Sequence, residues 1–341
     1  MTEIADEAGG TSITDRNIFW ESVLVFTILS GAGSALIICL ILRGLRKDLS
    51  SRLILYLSIA DFCLSVICLC LCAYNYHHGH LQDRKHFACR FQPVVTWYFM
   101  EVSILWLASI SIHSYKVIFY NRPFSPKEEI IFSVICWGIP LVTSILPLID
   151  STGQSYGPRN DLWCSFNNKK AQLVNLMLYY GPCLLIIGYC YIRIIWEIIC
   201  VRRSRLDKVL SSNSPQLAEG IDAEKVKVIR KLFFFVSAYF IVWTPMIIAY
   251  IYEYVTNRFI SFPAEFIVDN LLHVQGMINF VFYGINENLV REIKLWILPF
   301  KIKLVNTLSG TFKDDELYEI SSDYSGKIEL GNLKEGPFRI E

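Results

Sequence analysis

The stretch FWESVLVFTILSGAGSALIICLIL, Phe19 to Leu42, carries a single charged residue, Glu21. It shows neither the strict alternation of a half-buried strand nor the one-sided 3.6-residue stripe of a surface helix. Its length is what a bilayer asks for, since a hydrocarbon core about 30 Å thick takes roughly 20 apolar helical residues to cross. Reading outward from it, six further blocks of this kind follow, at about 53–74, 91–119, 130–149, 173–200, 232–255 and 264–285. Backbone N–H and C=O groups find no water in lipid and must be satisfied within the segment, so each block is expected to be a helix. A transmembrane barrel is excluded, because its signature is ten-residue alternation and not continuous apolar runs.

The fold class expected is therefore all-α: a seven-transmembrane helix bundle over 19–285, with a leading outside segment at 1–18. NENLVREIKLWILPFKIKL, beginning at Asn286, is amphipathic and basic, and reads as a short interfacial helix over 286–305. Residues 306–341 are polar and read as a disordered tail, and the Ser-rich, charged loop at about 201–230 reads as solvated. In a chain of 341 residues, 53% of them hydrophobic, the blocks leave no room for a separate soluble core. A net charge of +1 offers no electrostatic case for nucleic acid. Met1 to Asp15 is polar and acidic, unlike a cleavable signal peptide, so the first helix is expected to act as an uncleaved anchor. Interior prolines Pro140, Pro147, Pro182 and Pro245 are expected to kink their helices.

Basic residues set the orientation. Arg43, Arg46, Lys47 and Arg52 follow the first block; Lys116, Arg122 and Lys127 follow the third. Eight more, from Arg202 to Lys231, follow the fifth, and Arg291, Lys294, Lys301 and Lys303 follow the seventh. The other face holds Arg84, Lys85, Arg90, Arg159, Lys169, Lys170 and Arg258. The N-terminus is accordingly expected outside the cell and the C-terminus in the cytosol, in a multi-pass plasma-membrane protein. Of the 11 cysteines, most lie inside helices and read as small apolar residues. Cys89 and Cys164 alone fall in outside segments, where an oxidising medium favours their pairing. Cys200, at the inner end of helix five, is a candidate for palmitoylation.

An ionisable group in a membrane helix costs on the order of 2.5–3.5 kcal/mol, so each needs a reason. Asp61 reads either as a switch or cation-binding carboxylate, or as a structural hub bonded to Asn279 and neighbouring serines. Glu101 lies about 15 Å into helix three at 1.5 Å per residue; its candidate partners are His273 or a ligand. Asp269, Asn270, His273 and Gln275, with Trp97, Tyr98 and Tyr179, form a polar and aromatic set of the kind that lines a small-ligand cavity. Hydrogen bonding that merely joins helices is the alternative for each residue taken singly. Phosphate-loop, zinc-protease, CxxC and GxSxG motifs are absent, and no cofactor or metal site and no enzymatic activity are expected.

Several local patterns then coincide: LILYLSIADF (53–62), CWGIPLV (136–142), LWCSF (162–166), YYGPCLL (179–185), VWTP (242–245) and LLHVQGMINFVFYGINENL (271–289). In this order and spacing the set resembles the cyclic AMP receptor-like (class E-like) G-protein-coupled receptors. These are the slime-mould cyclic AMP chemoattractant receptors and their relatives in fungi, plants and animals; the resemblance spans roughly residues 20–300. It implies that Cys89 and Cys164 form the family's extracellular bridge. It implies too that Trp243 and Pro245 are the helix-six aromatic hinge beneath the ligand cavity, with Trp137, Pro140 and Pro182 in the structural frame.

Asn279 and Tyr283 stand where rhodopsin-like receptors carry an Asn-Pro-x-x-Tyr switch, with Phe280 in place of the proline. Helix three ends in SIHSYKVIFY (111–120) without the Asp-Arg-Tyr of rhodopsin-like receptors, which argues against that class. His113, Tyr115, Lys116, Arg230 and Lys231 are the candidates to face a G protein. The implied partners are a heterotrimeric G protein, the lipid bilayer, an unidentified extracellular small ligand, and arrestin or kinases at tail residues such as Ser309, Thr311, Ser321, Ser322 and Ser325. The implied output is modulation of cyclic AMP. The rival readings are a fungal-type nutrient (glucose) receptor, a small-molecule transporter, and a receptor-like scaffold without a G protein.

Overall fold

A computed structural model describes residues 12–45, 49–78, 87–120, 122–149, 155–159, 162–211 and 237–287, without the side chains of 44–45, 88, 198–211 and 283–287. Arg230, Lys231, the interfacial helix expected beyond Glu287, and the tail serines and threonine lie outside the described residues, as do the side chains of Cys200 and Tyr283.

Helix α1 is Ile13–Leu40, continued by a π-helical turn at Ile41–Leu45; α2 is Leu49–His78 and α3 is Phe87–Tyr120. Helix α4 is Pro126–Ile145, α5 is Lys169–Ser211 and α6 is Ser237–Thr256. Each of these is long and apolar enough to cross a membrane. The seventh crossing is broken in two, α7 at Phe262–His273 and α8 at Gln275–Glu287. Val274 interrupts it, yet the Val274 N–H donates to the Asn270 carbonyl at 3.1 Å, and its carbonyl accepts from the Ile278 N–H at 3.0 Å. These two bonds tie Val274 to both halves, while the Gly276 N–H leaves the ladder for a side chain on α1.

Local chemistry sets the helix starts. Ser12 caps α1 by accepting from the Asp15 N–H at 3.1 Å. Ser125 and Glu128 cap α4 reciprocally, at 3.3 and 2.7 Å, with Pro126 at the first helical position, where its missing N–H costs nothing. At the other end of α4, Pro147 does not kink a continuing helix as expected. The α-helix stops at Ile145 and Leu146–Ile149 tightens into a 3₁₀ turn, because proline has no N–H for the ladder and restricts the residue before it.

Helix α3 is the spine: 72% of its apolar window is buried, against 17% for α4, which lies at the edge. Helix α3 packs on α2, α4 and α5, and α1 packs on α2 and α7. Outward-facing Val134, Leu185 and Ile248 stay exposed, as a lipid solvent permits. At the α1–α8 seam, a Cβ on Gly276 would sit 2.5 Å from both the Ser30 and Ser34 Oγ atoms, so only glycine allows this approach. The Gly276 N–H donates there to Ser30 Oγ at 2.9 Å.

One element was not anticipated from sequence. Strands β1 (Tyr156–Arg159) and β2 (Trp163–Phe166) form an antiparallel hairpin, pairing Tyr156 with Phe166 and Arg159 with Trp163. All of β2 is buried. The hairpin is fastened to several helices. Trp20 Nε1 of α1 donates to the Leu162 carbonyl at 2.9 Å, and the Tyr156 hydroxyl donates to the Ser144 carbonyl of α4 at 3.0 Å. Cys164 is joined to Cys89 of α3 by a disulfide, with the Cα atoms 5.3 Å apart.

That bridge ties the hairpin to α3 covalently. Cys89→Ser and Cys164→Ser should each lower stability by about 2–4 kcal/mol, and the double variant should lose no more than either single one. Thermal melts of the purified variants check this; additive losses would mean the two sulfurs act separately.

Candidate functional site

Beneath the hairpin, between α2, α3, α6 and α7, lies a cavity of about 30 Å³. Trp97 and Met100 of α3, Trp163 of β2, Tyr250 of α6, and Asp269 and His273 of α7 face it, with Arg159 and Thr96. Three residues of the predicted ligand set, Trp97, Asp269 and His273, are brought together here. The aromatic walls interlock: Trp97 lies 5.2 Å from Phe166 and 6.2 Å from Tyr250, and Trp163 meets the His273 ring edge-on at 5.2 Å.

Arg159 dominates the electrostatics. Its side chain is only 6% exposed, yet its Nη2 donates to Glu253 of α6 at 2.5 Å and its Nε to Glu265 of α7 at 3.0 Å. The guanidinium also lies 5.0 Å from the Tyr250 ring centre and 5.5 Å from that of Phe259, a cation–π arrangement. Burial alone would lower its pKa, but Tyr250, Glu253, Glu265 and Asp269 outweigh that and hold it raised. Sequence reasoning counted Arg159 as an ordinary loop charge. The available signal was Glu253 and Glu265, acidic residues in membrane helices that lacked an assigned partner.

Other predicted pocket residues lie elsewhere. Glu101, fully buried, does not pair with His273. It accepts from Asn175 Nδ2 of α5 at 2.7 Å and from Thr143 Oγ1 of α4 at 3.0 Å. Its angular position on α3 aims it at α4 and α5, and the Thr143 and Tyr179 hydroxyls meet beside it. Tyr98 turns from the cavity toward Trp137, with ring centres 6.5 Å apart. Asn270 Nδ2 donates back to the Phe266 carbonyl at 2.7 Å.

One helical level deeper, Asp61 of α2 is fully enclosed by donors. Ser103 and Gln275 reach its Oδ1 at 2.8 and 3.1 Å, and Asn279 reaches Oδ2 at 2.8 Å. Gln275, Asn279 and Ser103 also face a second cavity, of about 10 Å³, walled by Trp243 of α6. Trp243 packs against Tyr180 of α5, with tilted rings whose centres are 4.5 Å apart. Pro245 lies two residues on in α6, Pro182 two residues on from Tyr180 in α5, and Pro140 is buried in α4.

At the end of the bundle away from the hairpin, His113 packs edge-on against Phe124 at 5.1 Å, and the Tyr115 ring lies tilted against Phe119 at 4.5 Å. Lys116 is ion-paired with Glu128 of α4. Arg52 bonds Glu129 at 2.8 Å, joining α2 to α4 at the same end.

Comparison with known proteins places this architecture. Residues 33–283 match the family described as 7 transmembrane receptor (rhodopsin family). The match overturns the expectation, drawn from the missing Asp-Arg-Tyr, that the chain stands apart from that class: a motif of three residues weighs less than a match over most of the bundle. Cyclic AMP receptor-like protein A of Dictyostelium discoideum is 25% identical over 312 residues, 89% of this chain and 73% of the relative. Cyclic AMP receptor 1 of the same organism is 24% identical over 310 residues, 89% and 72% of the two chains. The crystal structure of squid rhodopsin superposes with a TM-score of 0.65 at 15% identity, covering 92% of each chain.

The buried ion set yields a stability test. Arg159→Met strands Glu253 and Glu265 and should cost about 3–5 kcal/mol. Adding Glu253→Gln and Glu265→Gln to that variant should recover part of the loss, since neutral amides tolerate burial better than unpaired carboxylates. Melting temperatures of the purified variants measure both; a triple variant as weak as the sum of its parts would contradict the coupling.

Proposed function

From the premise that this chain belongs to the rhodopsin family of seven-transmembrane receptors, we propose how its geometry turns ligand binding into a signal. The chain is a G-protein-coupled receptor, a multi-pass protein of the plasma membrane that couples to a heterotrimeric G protein, and it is not an enzyme. In our reading the hairpin end faces outside the cell, since the basic residues Arg52 and Lys116 lie at the opposite end. The cavity beneath the hairpin takes an extracellular small ligand, and the output modulates cyclic AMP. The relatives bear the names of cyclic AMP receptors, which supports that signalling context.

One observation carries the mechanism. His273, on the cavity wall, and Gln275, a donor to Asp61, are separated only by the interrupting Val274. A ligand that favours one position of α7 therefore biases α8, the Asp61 hydrogen bonds and the small cavity at Trp243. That is a shift between packings, set by the ligand's differential affinity for them. Helix α6 responds through Trp243 and Pro245, and the G protein engages the end that carries His113, Tyr115 and Lys116. Arrestin or kinases act on the tail.

Trp243→Ala should change cyclic AMP output in cells severalfold while surface expression stays at the wild-type level. Unchanged output at equal expression would remove Trp243 from the mechanism. In nanodiscs the wild-type chain should accelerate GDP release from a Gα subunit; solute flux in liposomes without such exchange would favour a transporter instead.

A further inference from the structure

The charges around the cavity do not balance. Glu253, Glu265 and Asp269 contribute three carboxylates. Arg159 bonds the first two, and Lys169, 4.4 Å from the Phe259 ring centre, adds a weaker attraction to Glu253 without an ion pair. Among the described residues, two cations thus face three anions. The carboxylate without a direct bond to either cation is Asp269, which feels Arg159 only through space, lines the cavity and receives no hydrogen bond among the described residues. On the same helix, Glu265 lies four residues before Asp269 and His273, against Trp163, four residues after it, and among the described residues no hydrogen bond joins either to Asp269. On the facing wall, Arg159 Nη1 is buried without an acceptor, while Nε and Nη2 are both used.

We propose that this cavity binds the ammonium group of a small amine ligand that also carries an acceptor oxygen. The ammonium pairs with Asp269 beside the rings of Trp97 and Trp163, which favour a cation over their faces. The acceptor oxygen takes the free Arg159 Nη1 hydrogen. Size fits the assignment: at 10–15 Å³ per water, a cavity of 30 Å³ has room for about two waters. That admits an ammonium with its neighbouring oxygen and shuts out a nucleotide. An anionic group would meet the excess carboxylate at close range, in surroundings that screen it poorly. This inference rests on the reading of the cavity as the receptor's ligand site.

Ethanolamine, cationic at neutral pH, serves as the probe, and ethylene glycol as its neutral match in size. The full-length receptor in nanodiscs should melt at a temperature that rises with ethanolamine concentration, as mass action requires, and not with ethylene glycol. Asp269→Asn should abolish the rise. Should that variant fail to fold, saturation-transfer NMR on the wild-type receptor replaces it, with signal transfer expected to ethanolamine alone. Equal behaviour of the two probes overturns the proposal and means that a proton on Asp269 already removes the excess charge. Stabilisation by cyclic AMP but not by ethanolamine overturns it too, while preserving the cavity as the ligand site. If neither compound binds and Leu272→Trp, which fills the cavity, leaves nucleotide exchange unchanged, both the proposal and the reading beneath it fail.

Discussion

A charge taken out of water must bring its partners with it, and Arg159 brings them from two different helices. The guanidinium has left solvent on a hairpin, and the carboxylates that stabilise it stand on α6 and α7. Such a cluster adds little net stability over an apolar packing of the same shape, because desolvation offsets most of the attraction. What it fixes is position. With the two carboxylates in place the hairpin has one low-energy seat, and the disulfide to α3, the Trp20 bond and the Tyr156 bond all hold that same seat. Everything beneath the hairpin, the cavity included, takes its geometry from this closure.

Helix α3 distributes polar demand to opposite sides of the bundle. Glu101 and Ser103 are two residues apart, or about 200° around a helix of 3.6 residues per turn. One therefore faces α4 and α5, where Asn175 and Thr143 satisfy it, and the other faces α2, where it donates to Asp61. Trp97, one turn before Glu101, meets the hairpin instead. A single buried helix thus serves three polar or aromatic centres at successive depths. Each centre joins α3 to a different neighbour, in the way a bilayer requires when polar side chains must find protein rather than water.

The bundle was legible in the sequence because lipid imposes one simple rule on composition, and long apolar runs satisfy it visibly. The paired cysteines were legible because only two lie outside the runs. Partner choice was not. Glu101 pointed to His273 only while depth was the sole coordinate; its angle around α3, which decides the matter, depends on helix packing that no local pattern encodes. The hairpin was missed because Tyr156–Arg159 and Trp163–Phe166 are four residues each, too short for alternation to register, and include Gly157 and Pro158, which lower strand propensity. Asp61 was recognisable as a group in need of donors, and Asn279 was named among them, but Gln275 was grouped with the outer cavity. The break at Val274 is what separates them: His273 belongs to the level above and Gln275 to the level below.

That break also explains how one crossing serves two sites. Helix α8 is held firmly, since Gln275 and Asn279 bond a buried carboxylate and Gly276 sits against Ser30 and Ser34 with no room for a side chain. Helix α7 is held from the other end, through Glu265 and the hairpin arginine. Between two anchored halves lies the joint, where Val274 keeps one bond to each half but leaves regular α-helix. A continuous helix would transmit a push on Asp269 along its whole length and strain the bonds to Asp61. A fully broken one would transmit nothing and leave backbone groups unsatisfied in lipid. A one-residue interruption bonded to both halves lies between these limits, and it sits where the cavity ends and the Asp61 centre begins.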